Sequence, residues 1–230
     1  MTPHPTDCVA QVIELRQYTL RPGRREVLIE LFEREFVETQ QALGMQVLGT
    51  FRDLDRPDRF VWLRGFAGMA ARAEALAAFY GGPVWQAHRE AANATMIDSD
   101  DVLLLRPLPP WALPQMPRAP LGSLAAPPGV VIVAMLSWPE SDDGTALRYV
   151  TSAFAQAGAA PLAVLATEPS PNNFPRLPVR EGEPVRVVLS LLRGDAADAS
   201  RRIQRHLGEQ LPRGTPLLRL APTPRSSLHA

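Results

Sequence analysis

Apolar and polar positions change period several times along the chain, and each change marks an element. From Val12 the side chains alternate: Ile13, Leu15 and Gln17 fall on one side, and Glu14, Arg16 and Tyr18 on the other, as successive residues of a strand must. Pro22-Gly23 ends that strand. Val27, Leu28, Leu31, Phe32, Phe36 and Leu43 then recur at helical spacing, which predicts a helix from Arg24 to Leu43 with Gly44 as its stop. Gln46–Asp53 and Arg59–Phe66 read as a hairpin around the turn Asp55-Arg-Pro-Asp58. Met69–Tyr80 reads as an alanine-rich helix; Gly81-Gly82-Pro83 breaks it, and Pro83 suits the first turn of a helix running from Val84 to the neighbourhood of Met96. Asp100–Arg106 closes the unit as a strand.

Eight prolines crowd residues 107–128, a composition that predicts an extended linker. Trp111, Leu113 and Met116 within it suggest that it lies along a surface. The order of elements then repeats. Val130–Ser137 reads as a strand, Thr145–Ala157 as a helix ended by Gly158, Leu162–Thr167 and Val185–Leu192 as strands, Asp195–Leu207 as a helix stopped by Gly208, and Leu217–Leu220 as a last strand. Both halves are βαββαβ in outline, without residue-level identity between them. Such a unit makes a four-stranded antiparallel sheet with both helices on one face. Its bare apolar face needs a cover, and two units in one chain can cover each other. The predicted fold class is α+β: two tandem ferredoxin-like βαββαβ units packed sheet to sheet as an intrachain α+β barrel. The predicted division is an N-terminal tail (1–10), a first domain (11–108), the proline-rich linker (109–128), a second domain (129–222) and a C-terminal tail (223–230).

Composition narrows the chemistry. Apolar residues make up 46% of 230, enough for an ordinary core, and 24 basic residues balance 24 acidic ones. No basic stripe suggests nucleic acid as a partner. Every one of the 24 basic residues is arginine, so Schiff-base and P-loop lysine chemistry are excluded. The one cysteine, Cys8, allows neither an intrachain disulfide nor a cysteine metal site. The N-terminus lacks the pattern of a secretory signal, and no apolar run reaches the roughly 18–20 residues of a membrane span. The expected location is the cytoplasm, with no membrane partner. Asp98, Asp100 and Asp101 lack the glycine and distal glutamate of a calcium loop and read as a helix-to-strand turn; Asp142-Asp143-Gly144 reads as the turn into a helix. Phosphate loops, nucleophile elbows and zinc motifs are absent, so no metal and no nucleotide cofactor is expected.

Three segments carry a resemblance: Glu14-Leu-Arg-Gln-Tyr-Thr-Leu-Arg-Pro-Gly23, Trp85-Gln-Ala-His-Arg89, and Met96-Ile-Asp-Ser-Asp-Asp-Val-Leu-Leu-Leu-Arg-Pro107. Over roughly residues 11–108 the chain resembles the NIPSNAP family, itself similar to the dimeric α+β barrel superfamily; the second half looks like a diverged copy without the motif. The resemblance implies the fold. Barrel relatives include cofactor-free monooxygenases, haem proteins, isomerases and cyclases, and the fold does not choose among them.

The candidate site residues follow from strand faces and from one helix. Glu14, Arg16 and Tyr18 share a face that either lines a polar cavity inside the barrel or forms a structural ion pair or wet rim. In the functional alternative Arg16 holds an anionic or carbonyl oxygen, Glu14 pairs with it, and Tyr18 donates a hydrogen bond or proton. Phe60, Trp62, Arg64 and Phe66 form an aromatic face with one polar anchor, suited to a small organic ligand or to plain core packing. Trp85, His88 and Arg89 lie near one helix face, and His88 is the candidate base. His4 and His229 sit near the termini and His206 on an amphipathic helix. The candidates are thus His88, Tyr18 and Arg16 for catalysis, with Glu14, Trp62, Arg64, Phe66, Trp85 and Arg89 for ligand binding. One reading is a small-molecule-binding barrel, as a cofactor-independent oxygenase, isomerase or cyclase. The alternative is a non-catalytic structural or interaction protein with a filled barrel. A third places a haem on His88. A small-molecule ligand and a homo-oligomer are the partners considered.

Overall fold

Strand alternation in both halves resolves into one closed antiparallel barrel. The structure, a computed structural model, describes residues 9–109, 113–137, 144–182, 184–208 and 217–230. His4, Cys8, Trp111 and the predicted Asp142-Asp143 turn lie outside these residues. In the first half β1 (Val12–Leu20), β2 (Gln46–Asp53), β3 (Arg59–Phe66) and β4 (Met96–Pro107) lie in the order β4-β1-β3-β2. In the second half β5 (Val130–Ser137), β6 (Pro161–Thr167), β7 (Val185–Leu192) and β8 (Leu217–Pro222) repeat it as β8-β5-β7-β6. Strand β2 joins β8 with Phe51 opposite Pro222, and β4 joins β6 with Leu105 opposite Thr167. The expected tandem α+β barrel is therefore the observed fold.

Local sequence explains the element ends. Gly23 and Gly44 take positive φ, 72° and 83°, where the first strand and first helix stop. Pro83 opens the helix over Pro83–Asn93. Asp195 caps the helix over Ala196–Leu207 by accepting the N–H groups of Ala197 and Asp198, both at 2.9 Å. The predicted long helix is α1 (Arg25–Leu31) and α2 (Val37–Ala42) joined by a wide π turn, Phe32–Phe36, in which the Val37 N–H reaches back to the Phe32 carbonyl. Next come α3 (Met69–Gly81) and α4 (Pro83–Asn93), with α5 (Thr145–Gln156) and α6 (Ala196–Leu207) on the second half.

The core has three compartments. The barrel interior is apolar, filled by Ile13, Leu15 and Leu63 from one half and Val133, Leu165 and Val187 from the other; a barrel of eight strands is narrow enough for side chains to fill. One outer layer lies between the first half's sheet and α1 to α4, the other between the second half's sheet and α5 and α6. Residues 223–228 are buried, not draped over the surface. Thr223 bonds Thr50 and Glu33, each at 2.6 Å, and Ser227 donates to the Val47 carbonyl at 3.1 Å. The linker runs beside them, with the Met116 N–H donating to the Ser227 carbonyl at 2.8 Å. Among the described residues no helix is long and apolar enough to cross a membrane.

Candidate functional site

Strand pairing fixes a polar cluster on the outer face of the first sheet. In the β1–β3 register Glu14 faces Arg64 and Arg16 faces Trp62. Glu14 therefore sits between guanidiniums from its own strand and from its neighbour. Its carboxylate accepts from Arg16 Nη1 at 2.8 Å, from Arg64 Nη2 at 2.5 Å and Nε at 3.1 Å, and from Arg72 Nε at 2.7 Å. All four residues are 0–1% exposed. Burial alone raises the Glu14 pKa; the charges of Arg64, Arg16 and Arg72 outweigh it and hold the carboxyl well below the usual carboxylate range. Burial lowers the Arg72 pKa, with Glu14 opposing. Arg16 Nε also donates to the Tyr18 hydroxyl at 3.0 Å, and burial pushes the Tyr18 phenol up despite Arg16, so it stays protonated.

These groups do not point into the barrel. The expectation that Glu14, Arg16 and Tyr18 turn inward is corrected: the barrel interior takes the alternate residues Ile13, Leu15 and Gln17, and the polar trio faces the helices. Both faces of β1 are buried, so alternation alone cannot say which faces the barrel axis. The Phe60–Trp62–Arg64–Phe66 face lies on the helix side too. Trp62 stands 4.7 Å from Phe32 between ring centroids, and Arg64 lies over Trp62 and Phe66 at 5.0 and 5.4 Å.

A cavity of about 100 Å³ opens in this outer layer. Arg16, Tyr18 and Trp62 form its sheet wall. The π turn supplies Phe32 and Phe36, α3 supplies Tyr80, and α4 supplies Trp85; widened helical turns of this kind recur at functional sites. Asn93 and Ser99 stand at the edge, where Asn93 is exposed. The register of β1 on β4 shifts on both sides of Thr19, next to Tyr18, and such bulges re-aim side chains beside sites. The Trp62 indole N–H is buried with no hydrogen-bond partner among the described residues.

Of the candidates, Arg16, Tyr18, Trp62 and Trp85 line the cavity, while Glu14, Arg64 and Phe66 lie behind its wall. His88 is outside the lining. Its Nε2 lies 3.5 Å from Glu35 Oε2, and its ring meets Phe36 edge-on. Arg89 is exposed on α4, away from the lining. Among the described residues no group of three His, Cys, Asp or Glu side chains is placed to hold a metal ion.

Sequence reasoning missed Arg72, which occupies a core position of α3. Arg72, Ala75, Leu76 and Phe79 are its buried residues, so an arginine interrupting an apolar helical stripe was the available signal. It also missed the second half's contribution. Arg72 Nη1 donates to Asn172 at 3.0 Å and Asn173 at 2.8 Å on the β6–β7 connection; Phe174 stacks on Tyr80, and Leu177 lines the cavity. No local pattern marks those residues.

Comparisons with known proteins agree with the overall fold. Over most of both chains the fold is similar to two solved structures. One is a candidate monooxygenase from Lactobacillus acidophilus NCFM, 10% identical, covering 94% of this chain and 98% of that one with TM-score 0.53. The other is a candidate monooxygenase from Fusobacterium nucleatum, 7% identical, covering 96% of each chain with TM-score 0.57. A NIPSNAP family protein of unknown function from Agrobacterium tumefaciens is 23% identical over 45% of this chain and 94% of its own, with TM-score 0.41. No curated protein matches the sequence. Residues 13–110, the first half of the chain's fold, match the NIPSNAP family model.

Proposed function

We propose that the first half binds a small organic molecule in the cavity between sheet and helices. It acts there as an enzyme of oxygenase, isomerase or cyclase type that needs no resident cofactor. The observation carrying this reading is the cavity itself: aromatic rings on most sides and, on one wall, Arg16 and Tyr18 aimed alongside each other. A mostly apolar pocket with a few convergent polar groups is the usual form of a small-molecule site. Arg16 orients an acceptor oxygen, and Tyr18, whose oxygen already accepts from Arg16, has its own proton to donate. The candidate monooxygenases sharing the fold lend the oxygenase class some weight, although one fold hosts many chemistries. Haem on His88 loses support, because His88 is turned to Glu35 and a cavity of about 100 Å³ is far too small for the macrocycle.

The non-catalytic reading draws on a separate observation, the apolar filling of the barrel interior. A ligand-observed NMR screen of single-ring compounds against the full chain separates the two. Leu177→Trp narrows the cavity from the loop without touching the barrel interior. Binders that this variant displaces support the site, and turnover of a binder that falls at least about tenfold in Tyr18→Phe, with affinity kept, supports catalysis. A screen yielding no binder displaced by Leu177→Trp refutes the proposal.

A further inference from the structure

We propose that the cavity selects a small organic monoanion, a carboxylate or phenolate on a flat apolar body of about one ring, with its charge received by Arg16. This rests on reading the cavity as a binding site and adds the charge of its ligand.

The charge balance of the buried cluster carries the inference. Arg16, Arg64 and Arg72 are 0–1% exposed, and Glu14 is the single carboxylate paired with any of them among the described residues. Two formal positive charges are therefore unmatched among buried side chains. Taking a cation out of water carries a penalty larger than a ring face returns, and ring faces flank Arg16 and Arg64. Arg16 lies 5.5 Å from the Tyr18 centroid and 5.8 Å from that of Trp62. The side-chain oxygens of Gln40, Asn172 and Asn173 accept bonds from Arg64 and Arg72 but bring no charge. Tyr18 brings none either, being held as the neutral phenol by burial. A monoanion beside Arg16 supplies one of the two charges the protein leaves unmatched.

Hydrogen bonding points the same way. Arg16 Nη2 has only a long contact, 3.5 Å, to the Ser99 carbonyl. The Trp62 indole N–H is buried without a partner, and the Tyr18 proton remains to be given. Gln40, the buried amide in the lining, is already engaged with the Phe36 carbonyl and Arg64. The sheet wall thus offers donors and calls for acceptors. The aromatic walls suit a flat body, and the exposed edge at Asn93 leaves room for a substituent.

Isothermal titration of the full chain with benzoate and with benzamide, which shares its ring and outline but not its charge, tests this at neutral pH and low salt. Benzoate is expected to bind at least about tenfold more tightly than benzamide, as a charge-assisted bond requires. Leu177→Trp weakens both ligands, and Arg16→Gln erases the difference between them. If Arg16→Gln does not fold, the wild-type contrast and its loss of affinity in Leu177→Trp decide alone. Benzamide matching benzoate overturns the anion preference and leaves the binding site standing. Benzoate binding that ignores Leu177→Trp places the anion elsewhere and overturns the proposal. Failure of both compounds to bind at millimolar concentration overturns the proposal together with the reading beneath it.

Discussion

Glu14→Gln removes the charge at the centre of the buried cluster while keeping its shape. Four arginine N–H bonds, from 2.5 to 3.1 Å, end on that carboxylate. The amide retains one acceptor oxygen and turns an NH₂ group toward donors that met the other. Stripping one partner from a buried ion pair costs about 3–5 kcal/mol, because the remaining charge stays desolvated. Here three cations remain, so the upper part of that range is expected. In a chain of this length 1 kcal/mol moves the unfolding midpoint by about 2–4 °C. The variant should therefore melt roughly 10–20 °C below wild type at neutral pH, read by calorimetry or circular dichroism. The pH dependence has a definite sign. The folded Glu14 pKa lies below its ordinary 4.5, since Arg64, Arg16 and Arg72 overcome the effect of burial. Its contribution is complete above that ordinary value and disappears as the pH falls toward the folded one. The gap between wild type and variant should stay constant down to about pH 5 and close in stronger acid. A drop under about 3 °C, or a gap that widens on acidification, refutes the reasoning.

Arg72→Met cuts the tie between α3 and the β6–β7 connection; amide exchange at residues 172–177 should quicken at least about tenfold beyond any global change, and an unchanged local rate contradicts the tie. Asp195→Ala removes the α6 cap and should cost about 1 kcal/mol in denaturant unfolding, so a change below about 0.3 kcal/mol argues against the cap. Ending the chain after Pro222 takes away buried Leu228 and the Thr223 and Ser227 bonds; a loss above about 3 kcal/mol is expected, and wild-type stability in the truncated chain refutes the burial assigned to that segment. Asp55→Asn breaks a partly exposed pair with Arg219 and should change stability by less than about 1 kcal/mol; a larger loss marks the pair as structural.

Where one physical signal dominates, the sequence is legible to the residue. Alternation bounded by turn chemistry places β2 and β3 at Gln46–Asp53 and Arg59–Phe66, as observed. Strand β4 starts at Met96, four residues before the expected Asp100, because its first stretch, Met96-Ile-Asp-Ser99, is largely exposed and carries no alternation. The π turn is illegible since Phe32 and Phe36 also fit an ordinary helical stripe. The orientation of the Glu14 face is illegible for a related reason. A strand buried on both sides shows two faces of different polarity, and polarity does not reveal which compartment each face meets. The sum over all eight strands carries the answer: β5 and β7 offer almost only apolar residues, so the shared interior is apolar and the charged face looks outward.

The two lobes have the same strand order but unequal outer layers. Residues 172–179 of the β6–β7 connection lean over the first lobe's helices, whereas the opposite β2–β3 turn spans only residues 54–58. Beneath α5 and α6 the layer is solid Ile132, Val150, Phe154, Val164, Val188 and Ile203. A barrel of two identical subunits must repeat every feature twice by symmetry. Joining the lobes covalently lifts that obligation: one lobe carries an apolar outer layer while the other keeps the buried polar cluster. On the proposed function, occupancy should accordingly saturate at one molecule per polypeptide, half the stoichiometry of a symmetric two-subunit assembly with one pocket in each lobe.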